Sequence, residues 1–520
     1  MSIQILAARA ARGGLAALWA AIALVILGVV FAAAPSQAQS RWKVAESRNF
    51  LVHSDGPERE LRDWVAKLET FDFMLRSRLG LDPAVPATRR LPIYLTDAAG
   101  LRVIMPDADR RGVAGVYMAN EEDTYAVALR LGGEAVLFHE YFHHFMHQNF
   151  AAAYPAWLVE GFAEYYSTAE VRGGGVIEVG RPDPRTLEWL ARAEWIPLER
   201  LLSQRFFEIR RPEDRATFYP VSWLMTHWLL SERPEQMAAY MQAVGRGGDP
   251  ARSLEEVTGL ALVEIERALR RHLRGSMPYV RLSYEVPAPS FEVVILPASA
   301  DDLLLLNQAL KTSSTPERRA QLPVLVRAAA AKHPDDLLAR RALGHAELHF
   351  GDRDVGEDIL HDVVARWPDD VEALQLLAAA HLSLAEEVDA PDEAVALTRE
   401  ARGYLGRANV ARPSDYVTVG LLARSRIGMD GYPNVNDLNT WIVAVQLAPQ
   451  LAEARIGAAQ ALMLVDRQPE AIILLRPLAA APHGGGAAEA AGRLIAAAEA
   501  GQRTADLPET PETAEEETPQ

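Results

Sequence analysis

The sequence predicts two architectures in succession: an α+β part, a small mixed sheet plus helices, and behind it an all-α array of helical repeats. Three observations carry that prediction. Over residues 41–131, short runs rich in apolar and β-branched residues alternate with one amphipathic helix. A helical segment beginning after Gly132-Gly133 carries two histidines four residues apart, His139 and His143. Residues 301–500 repeat a proline-containing unit at a first spacing of 34 residues. Composition narrows the chemistry. A chain of 520 residues exceeds one ordinary core, and 49% hydrophobic with 24% charged residues excludes wholesale disorder. There is no cysteine, which removes disulfides, thiol nucleophiles, cysteine-held zinc and iron–sulfur clusters. Any metal is left to His, Asp and Glu. The formal charge of −17 argues against a nucleic-acid partner, because binding to a phosphate backbone is driven by Lys and Arg.

The first element is a leader. Arg9 and Arg12 stand without any acid in residues 1–40, followed by an apolar run over 15–34 and then Ser36-Gln37-Ala38. Basic start, apolar centre and small-x-Ala exit describe an export signal, 1–38, cleaved after Ala38. An uncleaved anchor is the alternative, since about twenty apolar residues just span a bilayer. The expected location is therefore periplasmic or secreted, with membrane attachment only through this segment if it is retained. Residues 50–53 then read as a strand, 58–79 as a helix, and 91–95 as a strand whose Pro92 marks a start or an edge. Residues 113–119 and 124–129 read as a hairpin joined by the polar turn Asn120-Glu121-Glu122-Asp123. From 134 to about 273 the pattern is mostly helical, which closes a first domain over 41–277. Residues 278–300, with Pro287, Pro289 and Pro297, read as a linker containing one extended piece.

The repeats occupy 301–500. His333-Pro334-Asp335-Asp336 recurs as Trp367-Pro368-Asp369-Asp370, and Arg412-Pro413-Ser414-Asp415, Ala448-Pro449-Gln450 and Pro482 continue the series. Ten residues after each of the first four prolines stands a small residue, Gly344, Ala378, Ala423 or Ala459, suited to a helix crossing. The region resembles tetratricopeptide repeats, about four or five of them, with an insertion near 386–391. Such arrays present a concave surface for a peptide or protein partner. Residues 501–520 hold one Arg against six acids and are expected to be a disordered acidic tail.

The chemistry concentrates in His139-Glu140-Tyr141-Phe142-His143, an HExxH sequence. Residues i and i+4 project from one helical face, so the two imidazoles converge on one ion, and Glu140 beside them is a base for water activated by that ion. His144 and His147 share the helix, and His143/His147 form a second pair without a following glutamate. Downstream stands Pro155-Ala156-Trp157-Leu158-Val159-Glu160-Gly161-Phe162-Ala163-Glu164-Tyr165. It resembles the W-L-x-E-G-x-A-x-Y helix of gluzincin zinc metallopeptidases, as in the peptidase MA-like and aminopeptidase N families. That resemblance implies zinc held by His139, His143 and Glu160, with Glu164 orienting a ligand histidine. Sixteen residues separate His143 from Glu160, and Glu164 stays open as the alternative ligand. Phe218-Tyr219-Pro220-Val221-Ser222-Trp223 resembles the tyrosine-bearing helix start of the same enzymes. Tyr219 is therefore the candidate oxyanion donor, with His227 or a merely packed tyrosine as alternatives.

The expected fold class is then an α+β metallopeptidase domain followed by an all-α tetratricopeptide-like solenoid. The expected function is hydrolysis of peptide bonds by zinc-activated water, with the repeats recruiting protein substrates or partners. Gly115-Val116-Tyr117-Met118-Ala119-Asn120-Glu121 does not match the Gly-x-Met-Glu-Asn segment of aminopeptidases, so that specificity is not implied. By analogy with gluzincins, the strand over 124–130 is expected to line the cleft and pair with an extended peptide. The layout also resembles exported envelope proteases that join a zinc domain to tetratricopeptide repeats, although their glutamate motif differs. A repeat-based binding scaffold with a weakly active or inactive zinc-binding domain is the alternative. A third reading makes the repeats a stabilising appendage.

Overall fold

The structure, a computed structural model, describes residues 40–108, 112–150, 152–312, 315–482 and 484–503. The expected leader and nearly all of the acidic tail lie outside the described residues. Among the described residues, no helix is long and apolar enough to cross a membrane.

The strands are β1 (Lys43–Glu46), β2 (Phe50–Ser54), β3 (Leu91–Thr96), β4 (Gly115–Ala119), β5 (Thr124–Leu129), β6 (Glu170–Arg172), β7 (Val176–Val179), β8 (Val280–Ser283) and β9 (Val293–Ile295). The central sheet runs β4-β5-β3-β2-β1-β9, and β6-β7-β8 form a second, smaller sheet. In the central sheet β2, β3 and β5 are parallel, while β4 and β1 run antiparallel to their neighbours β5 and β2. Every residue of β3 is buried, as expected of a strand covered on both faces. Pro92 does not mark an edge, because β3 lies between β5 and β2. It sits at the strand's start, and the pairing with β5 begins only at Ile93, so no bond to β5 requires the missing N–H.

The two faces of this sheet have different covers. Phe50, Val52, Ile93, Leu95, Ala126 and Ala128 meet the helices Glu58–Arg78 and Glu134–Asn149. On the other face, Tyr94, Tyr125 and Val127 meet Leu303, Leu322, Val326 and Ala342. Those partners come from the helices Ser299–Leu310, Pro316–Ala330 and Leu337–Phe350, inside the expected repeat region. The boundary expected near 300 therefore runs through a shared core. Segment 278–300 is also more than a linker with one extended piece. It supplies β8 to the small sheet and β9 to the edge of the central one. Both strands are only three or four residues long between prolines, too short for an alternation pattern to register. The β6–β7 hairpin was hidden in a region expected to be helical. Its signal is Gly173-Gly174-Gly175 between Val-containing runs, with Gly174 and Gly175 in the left-handed region at φ +72° and +74°.

The array consists of helix pairs. Ser299–Leu310 packs with Pro316–Ala330, Leu337–Phe350 with Arg353–Arg366, and Val371–Glu387 with Pro391–Ala411. Tyr416–Arg424 with Val435–Leu447 and Ala452–Leu464 with Gln468–Ala479 continue it, and Gly485–Glu499 closes it. This serial pairing is tetratricopeptide-like. The recurring Pro-x-Asp has a local cause: the side chains of Asp336, Asp370 and Asp415 each cap a helix by accepting a backbone N–H. The small residues mark crossings. A Cβ on Gly344 would stand 2.7 Å from Leu360 Cγ on the facing helix. The insertion near 386–391 is absorbed as extra helical turns, in helices of 17 and 21 residues.

Candidate metal centre

The helix Glu134–Asn149 starts where Gly132, at φ +81°, turns the chain out of β5. Its apolar face, with Phe138, Tyr141, Phe142 and Phe145, is buried, and Phe138 stacks on Phe71 with ring centroids 4.1 Å apart. The helix Ala156–Ser167 packs against it, with Phe142 stacked on Phe162 and Tyr166. This docking turns His139 and His143 toward Glu160, which is wholly buried.

The three side chains converge. His139 Nε2 and His143 Nε2 are 3.1 Å apart, and Glu160 Oε2 lies 3.5 and 3.4 Å from them. A point about 2 Å from all three atoms exists at these separations, which is the bond length zinc takes to nitrogen and carboxylate oxygen. The donor set, two imidazoles and one carboxylate, also suits that ion. Glu164 contacts the other side of the ring, its Oε1 3.3 Å from His139 Nδ1. The geometry thus separates the two glutamates: Glu160 shares the Nε2 side with both histidines, and Glu164 lies on the Nδ1 side of His139. Burial opposes a charge on His139, but hydrogen bonds to Glu160 and Glu164 hold its pKa well above the ordinary value. The pocket favours positive charge at this point.

Tyr219 lies on the helix Pro212–Glu232. The helix does not start at Tyr219, as its resemblance implied. Pro212 opens it with Glu213 and Asp214 in its first turn, and it continues through Pro220. Gly161 lets this helix close on Glu160: a Cβ there would stand 2.3 Å from Thr226 Oγ1 and 2.6 Å from the Ser222 carbonyl oxygen. Burial and the charges of Glu160, Glu164 and Glu140 all push the Tyr219 phenol far above its ordinary pKa. It stays protonated and able to donate. His227 is engaged elsewhere, with Nδ1 2.8 Å from His272 Nε2 and Nε2 3.0 Å from the Pro278 carbonyl. It therefore does not serve as the oxyanion donor.

His144 is buried, 3.0 Å through Nδ1 from the Tyr117 hydroxyl of β4. His147 belongs to none of the clusters able to hold a metal among the described residues. The strand expected to receive a peptide, β5, is bonded on both sides, so its backbone is already used. The edge beside the metal helix is β4 instead, a position that pairing alone decides.

Residues 135–248, which include His139, Glu140, His143, Glu160, Glu164 and Tyr219, match a family described as a protein of unknown function, DUF1570. No curated protein matches. A thermophilic TPR protein of Thermus thermophilus, known from its crystal structure, is similar at 19% identity, over 39% of this chain and 100% of that chain. The TM-score is 0.32, too low to carry an argument about fold.

Proposed function

We propose that this protein is an exported, zinc-dependent hydrolase of peptide bonds, of gluzincin type, whose helical array engages protein substrates or partners. The observation that carries the reading is the convergence of His139, His143 and Glu160, with Glu164 behind His139 and Glu140 adjacent in the chain. His139, His143 and Glu160 would hold the zinc, which when bound supplies Lewis acidity and a more acidic water. Glu140 takes a proton from the attacking water and returns it to the leaving amine. Glu164 keeps the His139 ring in one tautomer and orientation. The protonated Tyr219 donates a hydrogen bond to the oxygen on which negative charge develops. An extended peptide adds to the free edge of β4, which the Tyr117–His144 hydrogen bond ties to the metal helix.

The experiment measures zinc content and casein cleavage for the full chain, Glu140→Gln and His139→Ala. Glu140→Gln is expected to keep its zinc and lose about 10²–10⁴-fold in rate, the usual contribution of a general base. His139→Ala is expected to lose zinc and cleavage together. Cleavage retained by Glu140→Gln overturns the assignment, and zinc binding without cleavage in the parent favours the binding scaffold.

A further inference from the structure

A second helix carries the same spacing. His345 and His349 stand four residues apart on Leu337–Phe350, with ring centroids 4.9 Å apart at an interplanar angle of 71°. His139 and His143 show 4.8 Å and the same 71°. The third member comes from another part of the fold: Glu122, in the turn between β4 and β5, places Oε2 3.1 Å from His345 Nε2. One donor atom from each of the three lies within 4.8 Å of the others.

The surroundings set this cluster apart from an ordinary ion pair. His345 is wholly buried; its Nε2 faces Glu122 Oε2 at 3.1 Å without hydrogen-bond alignment, and its Nδ1 has no hydrogen-bond partner. A buried imidazole left in that state is costly unless something else satisfies it. The nearby cations are engaged elsewhere. Lys311 is held by Glu372 at 2.9 Å and Asp123 at 3.3 Å, and Arg353 by the Ala380 carbonyl at 2.9 Å. Glu122 and His349 line a cavity of about 310 Å³, which gives an ion a route in. A third His/His/Glu group, Glu357, His361 and His381, differs in that its buried histidine is already satisfied there: His381 Nε2 is hydrogen-bonded to Glu357 at 2.7 Å.

We propose that Glu122, His345 and His349 form a second divalent-metal site, of zinc type, that pins the β4–β5 turn to the helical array. Glu347, between the two histidines, is engaged with Arg327 and is not placed as a base. The site is structural. Its ligands come from the sheet and from the array, so an ion bound there favours the docked state by its binding free energy.

The test is zinc stoichiometry of the metal-stripped, refilled full-length protein, by elemental analysis, with thermal melts alongside. The parent is expected to hold two zinc ions, His349→Ala one and His139→Ala one. The double variant is expected to hold none. His349 is exposed, so its substitution leaves the buried core intact, and Glu122→Gln serves as the second single variant. Zinc should raise the melting temperature of His139→Ala but not of the double variant. Two ions retained in both His349→Ala and Glu122→Gln, or one ion in the parent that His139→Ala abolishes, overturns the proposal. One ion that survives His139→Ala and is lost in His349→Ala upholds it and refutes the first centre instead.

Discussion

The two faces of the central sheet differ in how far along the chain their covers lie. The face beneath the metal helix is closed by Glu58–Arg78 and Glu134–Asn149, neighbours in sequence of the strands they cover. The opposite face is closed by the short local helix Ala98–Ile104 and, over it, by helices between Ser299 and Phe350, more than a hundred residues beyond β5. The β4–β5 turn then reaches into the array. Tyr416 donates to the Asn120 carbonyl at 3.2 Å, and Asn120 Nδ2 donates to the Lys311 carbonyl at 2.7 Å. The difference teaches that the repeats are not an appended module: their first helices complete the core of the domain that carries His139, His143 and Glu160. The array's first helices therefore stabilise that domain as part of its own fold.

The largest effect should come from breaking that shared core. A chain ending at residue 300 uncovers Leu101, Ile104, Tyr94, Tyr125 and Val127. At roughly 2 kcal/mol for each buried side chain, the loss approaches the whole net stability of about 5–15 kcal/mol. Such a chain is expected to show no cooperative melt by circular dichroism, whereas one ending at residue 411 keeps the cover and melts cooperatively. A sharp transition in the shorter chain would mean that the array-side face is dispensable.

Next comes the junction. Lys311 is buried between Asp123 of the turn and Glu372 of the array. Burial works to lower its pKa, but the charges of Glu372 and Asp123 carry it far above the ordinary value. Lys311→Met removes a shared partner but leaves Asp123 with Arg89 at 2.9 Å and Glu372 with Arg341 at 3.2 Å, so urea unfolding should register a loss of about 1.5–3 kcal/mol. A loss below about 1 kcal/mol would show that the carboxylates find water instead.

A smaller effect follows from acid. His53 is buried against Tyr94, ring centroids 4.6 Å apart, and burial lowers its pKa to about 4. Its folded-state pKa lies below the unfolded value, so from about pH 6.5 down to 4 the unfolded chain binds a proton that the folded chain does not. Stability is therefore fully present above that window and falls on acidification through it, by at most roughly 3 kcal/mol from this residue. Denaturation curves across pH should flatten in His53→Gln, and an unchanged pH profile would assign the loss to other groups.

On the metal-helix face the expected change is in affinity rather than stability. Glu164→Gln should weaken zinc binding about 10–100-fold, read by competition with a chelator, while the melt of the metal-free chain stays put. Unaltered affinity would deny Glu164 its orienting role.

The convergence of the candidate metal centre was partly legible in local signals. His139 and His143 share a helical face by spacing alone, and Glu160-Gly161 stands in a motif whose glycine has a visible packing reason. The array was legible because Asp336, Asp370 and Asp415 repeat a capping chemistry. The strands β6 to β9 were not, being three or four residues long, and neither was the edge position of β4. Likewise, the spacing of His345 and His349 stood in plain view, but nothing local tied Glu122 to them.

By itself, then, the sequence determined the spacing that puts His139 and His143 on one helical face, the recurring Pro-x-Asp of the array and the absence of cysteine chemistry. Each follows from composition, periodicity or residues a few positions apart, whereas Glu160 entered only through the resemblance of its motif. Only the tertiary structure decided which glutamate faces both Nε2 atoms, which strand lies at the edge, and which helices cover the second face of the sheet. Those are matters of non-local pairing and burial, and side-chain patterns show that a surface is apolar without saying what it meets.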